Sequence, residues 1–265
     1  MRFVWLIISV YALVVLAAYF LQYRMLYFPD RISMADVREQ ATVADLVLWA
    51  SSDADYRGLI REKEGGDHRG TILVFHGNAG SAVHRSYYTD ALVPLGYRVI
   101  LLEYPGYGGR PGKLGESSFV ADAEASMGLA LKQFGGPLFL WGESLGCGVA
   151  AALSSSSEAV KGVILLTPWD SLTNVAQALY RFLPVGLLLK DRYDSVTHMG
   201  GFRGPVAVVM AGRDEVIANR FTKNLYESLA SSKRMWLFED AGHSSWPSAP
   251  DLAWWREVMK FVDIS

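Results

Sequence analysis

The stretch that most constrains this chain is Leu138 to Gly148, LFLWGESLGCG. It reads as a short apolar strand, a tight turn with Ser144 at its tip, and a helix of small residues. A G-x-S-x-G pattern means little alone. Between such a strand and such a helix it describes a turn that lifts one hydroxyl clear of a sheet. Side chains at Gly142 and Gly146 would collide across that bend. The helix aims its N-terminus at Ser144, which places N–H groups and partial positive charge beside any oxyanion. Gly146, Gly148 and Ala150 to Ala152 let this helix lie close on the sheet, with Cys147 packed behind the serine. The competing reading is a glycine-rich connection with an incidental serine.

Thr71 to Phe75 and Arg98 to Leu102 read as buried strands, and Gly162 to Leu166, Pro205 to Met210 and Arg234 to Phe238 as further strands. Val43 to Ala50 and Tyr56 to Arg61 read as an antiparallel pair joined by a turn at Ser52 to Asp55. Helices are expected around Val83 to Leu95, over Glu116 to Phe134, and along Phe221, Leu225 and Leu229. A final helix follows a capping signal at Ser248 to Asp251, with Leu252, Trp255, Met259 and Val262 facing inward. Strands alternating with helices predict an α/β fold, a mostly parallel sheet wrapped on both faces. Ligands of such sheets bind at the carboxyl ends of the strands. The loops His76 to Gly80, Glu103 to Gly109, Gly212 to Asp214 and Glu239 to His243 all lie there.

Phe3 to Tyr23 carries no charge. As a helix it would be roughly 30 Å long, the thickness of a bilayer's hydrocarbon core. Tyr19, Tyr23, Arg24 and Tyr27 cluster at its far end as interfacial anchors do. A cleaved signal peptide is the rival, but Ala17-Ala18 is a poor cleavage site and the apolar run continues past it. The expectation is a single-pass anchor over 1–26, a linker over 27–42 and one catalytic domain over 43–265. Arg2 flanks one end of the span, and Arg24 and Arg31 flank the other. Charge therefore leaves the orientation open, with a lean to an extracytoplasmic domain, periplasmic in a bacterium. The formal charge of -2 leaves no nucleic-acid footprint. One cysteine permits no internal disulfide and no multi-cysteine metal site. Nothing in the chain speaks to oligomeric state.

A serine hydroxyl is a weak nucleophile until a base takes its proton. Among five histidines, His243 lies just past the last strand, downstream of Ser144, as the base of this arrangement should. The acid that orients it must fall between them. Asp170, Asp191, Asp194, Asp214 and Asp240 are available; Asp214, directly after a strand and a Gly212-Arg213 turn, is chosen, with Asp170 the runner-up. Glu215 reads as solvated or as a hydrogen-bonding loop residue. The oxyanion needs two donors. The Leu145 N–H is one, and the Asn78 N–H the other, with Ala79 as its substitute.

Gly142 to Gly146, Phe75 to Gly80, Glu103 to Gly108, Gly212 to Val216 and Ala241 to His243 together resemble the α/β-hydrolase superfamily. The chain is similar above all to the small membrane-anchored α/β-hydrolase-domain proteins, over roughly residues 25 to 265. The resemblance implies an α/β-hydrolase fold with a short cap at about 168–204. Glu103 stands where relatives lead one to expect Asp. Apolar Leu179 to Leu189 within the cap suits an acyl pocket, lipid contact or a core helix. Tyr107, Leu183 and Leu187 are expected to touch substrate. No cofactor or metal is expected. The leading reading is a serine hydrolase that cleaves a lipophilic carboxylic ester or thioester through an acyl-enzyme on Ser144. A serine peptidase of the same fold and a catalytically silent anchored binding domain are the alternatives.

Overall fold

Apolar runs buried on both faces form the centre of the structure. The computed structural model describes residues 1–50 and 55–264. The large sheet contains β1 (Val47–Trp49), β2 (Gly58–Arg61), β3 (Thr71–Phe75), β4 (Arg98–Leu102), β5 (Leu138–Glu143), β6 (Val160–Leu166), β7 (Val206–Ala211) and β8 (Lys233–Phe238). Their spatial order is β8-β7-β6-β5-β3-β4-β2-β1. β3 to β8 are parallel, and β2 and β1 continue the sheet antiparallel at the β4 edge. β3 and β7 are buried at every residue, as strands covered by helices on both sides must be.

The helices are α1 (Arg2–Leu26), α2 (Met34–Val43), α3 (Ser86–Leu92), α4 (Glu116–Phe134), α5 (Leu145–Leu153), α6 (Leu172–Leu179), α7 (Val185–Leu188), α8 (Ser195–Met199), α9 (Asn219–Ser228) and α10 (Ala253–Val262). Phe119 of α4, Val149 of α5 and Leu225 of α9 share one core layer. Val37 of α2, Tyr88 of α3 and Trp255 of α10 share the other. This is the α/β-hydrolase fold that the sequence predicts, with α6, α7 and α8 as a short cap between β6 and β7.

Three expectations need correction. Residues 27–42 are not a bare linker. Ser33 Oγ accepts from Asp36 N at 3.1 Å and Ser33 N donates to Asp36 Oδ2 at 3.1 Å, a capping box that starts α2. Val37 and Ala41, four apart, then bury the inner face of α2. Phe28–Pro29 also pairs in parallel with Ala79–Gly80. The first strand is shorter than Val43 to Ala50, because Val43 ends α2 and Asp45 takes a left-handed φ of 54°. The turn expected at Ser52 to Asp55 lies mostly outside the described residues. Last, α10 starts after Leu252 with no side-chain cap, and Leu252 is 36% exposed. Its inner face is Trp254, Trp255, Val258, Met259 and Val262. The Trp254 and Trp255 indoles donate to Pro247 O and Ala249 O, both at 3.0 Å, which ties down the loop beyond His243.

α1 contributes no buried residue, and among the described residues it is the helix long and apolar enough to cross a membrane.

Candidate active site

Ser144 ends β5 and N-caps α5 with φ 51°, a left-handed conformation that costs a non-glycine residue about 1–3 kcal/mol. The neighbourhood holds it there. Ser144 N donates to Leu166 O at 2.9 Å. A side chain at Gly146 would overlap the Phe75 carbonyl, and one at Gly142 would meet the Cys147 backbone. α5 thus crosses the ends of β3 and β5 at glycine distance, as the turn requires. Cys147 is buried there, its thiol donating to Gly142 O and Leu166 O at 3.2 Å.

The structure brings Ser144, His243 and Asp214 into one line. Ser144 Oγ lies 2.9 Å from His243 Nε2, across a sequence separation of 99 residues. His243 Nδ1 lies 2.9 and 3.1 Å from the Asp214 carboxylate oxygens. Asp214 Oδ1 also accepts from Val216 N at 2.9 Å and Ile217 N at 2.7 Å, so the carboxylate is oriented from two sides. Its side chain is 2% exposed and the imidazole 12%. With the Nδ1 proton given to Asp214, Nε2 is the acceptor that faces the serine hydroxyl. Arg213 N donates to Ala241 O at 2.8 Å, which stitches the acid loop to the base loop. Glu215 does serve the loop: Oε2 accepts from His243 N at 3.0 Å, and this bond holds its carboxyl below the usual range.

Leu145 and Asn78 both line the cavity above Ser144. Leu145 is the first residue of α5, so its N–H has no partner within the helix. Asn78 is fixed through its other groups. Its carbonyl accepts from Phe28 N at 2.9 Å and Tyr107 Oη at 2.8 Å, and its amide donates to Leu26 O at 2.9 Å. Ala79 does not line the cavity; its carbonyl takes Arg85 Nη2 at 3.2 Å. Tyr107 likewise is not a substrate contact. It is fully buried against Phe119 and acts from behind, on Asn78. Leu183 lines the cavity, but Leu187 is 87% exposed and does not. Pro184 restarts the helix between them, so their i, i+4 spacing does not put them on one face.

The cavity is about 440 Å³, toward the lower part of the roughly 300–1,000 Å³ range of small-molecule sites. Trp169 and Ile217 line it, together with Val175, Leu179, Leu183 and Leu188 of the cap. No Asp or Glu lines it among the described residues. The other acid candidates are occupied elsewhere. Asp170 accepts from Ser171 N, Asn174 Nδ2 and Asn224 Nδ2 at 2.6, 3.1 and 3.1 Å. Asp191 takes Tyr27 Oη at 2.6 Å, Asp194 caps α8, and Asp240 pairs with Arg213.

Two further acidic side chains, one buried and one largely so, take structural roles that the sequence did not assign. Glu103 Oε1 meets His76 Nε2 at 3.1 Å and Oε2 accepts from Ala82 N at 3.0 Å, pinning both ends of the loop that carries Asn78. Its longer side chain fits because Gly108 leaves room. Glu143, adjacent to the nucleophile, turns away from the cavity. It accepts from Arg85 Nε at 3.1 Å, Tyr87 Oη at 2.9 Å and Tyr88 Oη at 3.1 Å. Burial alone would raise this carboxyl, but Arg85 and the Tyr87 hydroxyl outweigh it and hold it below the ordinary glutamate range.

Glu143→Gln should therefore lower stability by about 3 kcal/mol at pH 7, since it strands the Arg85 guanidinium in a mostly buried place. A carboxyl whose folded pKa is depressed stabilises above its unfolded value of about 4.3, and that benefit vanishes as pH falls through the folded value. The stability gap between wild type and Glu143→Gln should thus narrow on acidification in urea unfolding. A gap independent of pH would mean that the Glu143 carboxyl titrates alike in the folded and unfolded chain, and a gap that widened on acidification would mean that the fold holds it protonated.

Comparison with known proteins places this geometry. The family model described as serine aminopeptidase, S33, a hydrolase family, matches residues 66–189. An uncharacterised protein of Mycobacterium tuberculosis H37Rv is 30% identical over 230 residues, 84% of this chain and 80% of that one. The lysophosphatidylserine lipase ABHD12 of Danio rerio is 30% identical over 184 residues, 62% of this chain, which spans 48% of that lipase's length. An esterase of Pyrococcus furiosus superposes with a TM-score of 0.68 at 14% identity, covering 89% of this chain and 96% of that chain. With the sheet order, the turn at Ser144 and a relative matched over four-fifths of its length, the chain belongs to the α/β-hydrolase superfamily.

Proposed function

We propose that the chain is a membrane-anchored serine hydrolase that cleaves a lipophilic carboxylic ester or thioester. The observation that carries this reading is the Ser144–His243–Asp214 line at the floor of a carboxylate-free, largely apolar cavity. His243 Nε2 takes the hydroxyl proton as Ser144 Oγ attacks the acyl carbon, and Asp214 stabilises the imidazolium. The Leu145 and Asn78 N–H groups bind the oxyanion. The tetrahedral intermediate expels the alcohol or thiol, which takes the proton from His243. Water, deprotonated by the same imidazole, then releases the acid and restores the serine. The lipase activity named for the Danio rerio relative supports a lipid substrate, and α1, long and apolar with no fully buried residue, supports anchoring. Cleavage of a free amino-terminal residue is disfavoured, because the cavity offers no carboxylate to an ammonium group.

A fluorophosphonate probe should label the purified full chain at Ser144. Across p-nitrophenyl esters and acyl thioesters, kcat/KM should rise from acetyl to longer acyl chains, while aminoacyl anilides stay intact. Turnover of the anilides alone would make the chain a peptidase. Absent labelling and absent turnover would make it a silent binding domain.

A further inference from the structure

One wall of the cavity comes from outside the catalytic domain. Ala18, Gln22, Met25 and Leu26 of α1 line it, at i, i+4, i+7 and i+8, on one helix face. Phe28 continues that wall down to Asn78 and Ser144. From Leu26 to Ala18 the wall climbs about 12 Å along the helix axis, so Ala18 stands at the end of the cavity far from the serine.

Polar bonds in an apolar helix fix α1 against the cap. Gln22 Nε2 donates to Leu188 O at 3.3 Å, and Gln22 Oε1 accepts from Lys190 N at 2.9 Å. The Lys190 ammonium lies 4.4 Å from the Tyr19 ring centroid. Farther along, Tyr11 Oη donates to Phe182 O at 2.9 Å. Tyr11 and Leu26 are about 22 Å apart along the axis. The cap therefore runs beside more than half of a helix whose whole length, about 37 Å, is of the order of a bilayer. The tip of the cap is apolar and bare: Phe182 is 90%, Leu187 87% and Leu179 62% exposed. Arg181, beside Phe182, has a stem long enough to bring its charge to an interface. An apolar tip bonded to the middle of a membrane-length helix fits one surrounding, the acyl region of the same leaflet.

Resting on the acyl-hydrolase reading above, we propose that α1 is a wall of the substrate site as well as a tether. The cap tip sits in the leaflet beside it, one acyl chain passes sideways from the bilayer into the cavity, and Ala18 limits the chain length accepted. A volume near 440 Å³ suits a single chain, so the substrate class is a single-chain acyl lipid whose head group stays at the interface.

The test uses the full chain reconstituted in phosphatidylcholine vesicles. Ala18→Trp fills the far end of the cavity, and the ratio of kcat/KM for palmitoyl over butyryl p-nitrophenyl ester should fall at least tenfold. Leu13→Trp, on the same helix but away from the cavity, should keep the wild-type ratio. In a second measurement Phe182→Cys carries a nitroxide; the lone native thiol, Cys147, is buried and should not react. Dissolved oxygen should relax that label more effectively than a water-soluble nickel chelate. An Ala18→Trp ratio equal to wild type, or a label that the aqueous chelate reaches freely, overturns the proposal. Failure of the hydrolase reading looks different, since no variant would then turn over either ester or take a fluorophosphonate at Ser144.

Discussion

Ser144→Ala and His243→Ala should each lower kcat by on the order of 10⁴ or more, and the double variant should be no worse than the poorer single one. Nucleophile and base act as a unit, so removing either forfeits the same step. The 2.9 Å contact between Oγ and Nε2 is the unit in question. Without the imidazole the hydroxyl keeps its proton; without the hydroxyl the imidazole has nothing to activate but water. Residual turnover would come from the Asn78 and Leu145 donors and from binding in the apolar cavity. Melting temperature separates lost chemistry from lost fold. Alanine retains the strained φ of 51° at this turn, and the removed hydroxyl sits at a cavity, so stability should move by only about 1 kcal/mol. Steady-state kinetics on a long-chain ester, with active-site titration of the wild type, measures the effect. Two independent losses that multiply in the double variant would break the mechanism stated above.

Much of this arrangement is legible in the chain because its causes are local. Continuous apolar runs mark β3 to β7, since a strand covered on both faces has no polar side to show. Gly142 and Gly146 announce the turn because any larger side chain there meets backbone. Asp214 and His243 fall where strand ends place them. What escapes the eye depends on contacts between distant segments. Ser33 and Asp36 start a helix in a stretch that looks like a linker, and only the burial of Val37 and Ala41 makes it worth forming. Tyr107 sits in a loop rich in glycine, where an aromatic suggests a substrate contact; instead it spends its hydroxyl on Asn78. The Gln22 bonds to Leu188 and Lys190 cross 166 and 168 residues. Gln22, the one amide side chain in an otherwise mostly apolar helix, was the available signal for them.

Asp214→Asn should cost on the order of 10³ to 10⁴ in kcat, whereas Asp170→Asn should stay within about tenfold of wild type. The difference follows from what each carboxylate accepts. Asp214 Oδ1 already takes two backbone N–H groups, Val216 and Ile217, so an asparagine there must keep its carbonyl oxygen on them. Its NH₂ would then point at His243 Nδ1, which could no longer donate. The imidazole would shift its proton to Nε2, and the nitrogen facing Ser144 would cease to be a base. Asp170 carries no such link to an imidazole. It gathers Ser171 N, Asn174 and Asn224 where the cap meets α9, and its loss should appear as about 1–3 kcal/mol in urea unfolding rather than as lost turnover. Measuring both quantities on both variants separates orientation of the base from support of the cap. If Asp170→Asn alone abolished activity while Asp214→Asn left it intact, the acid would lie at the end of β6 and the contact between Asp214 and His243 would have no part in the chemistry.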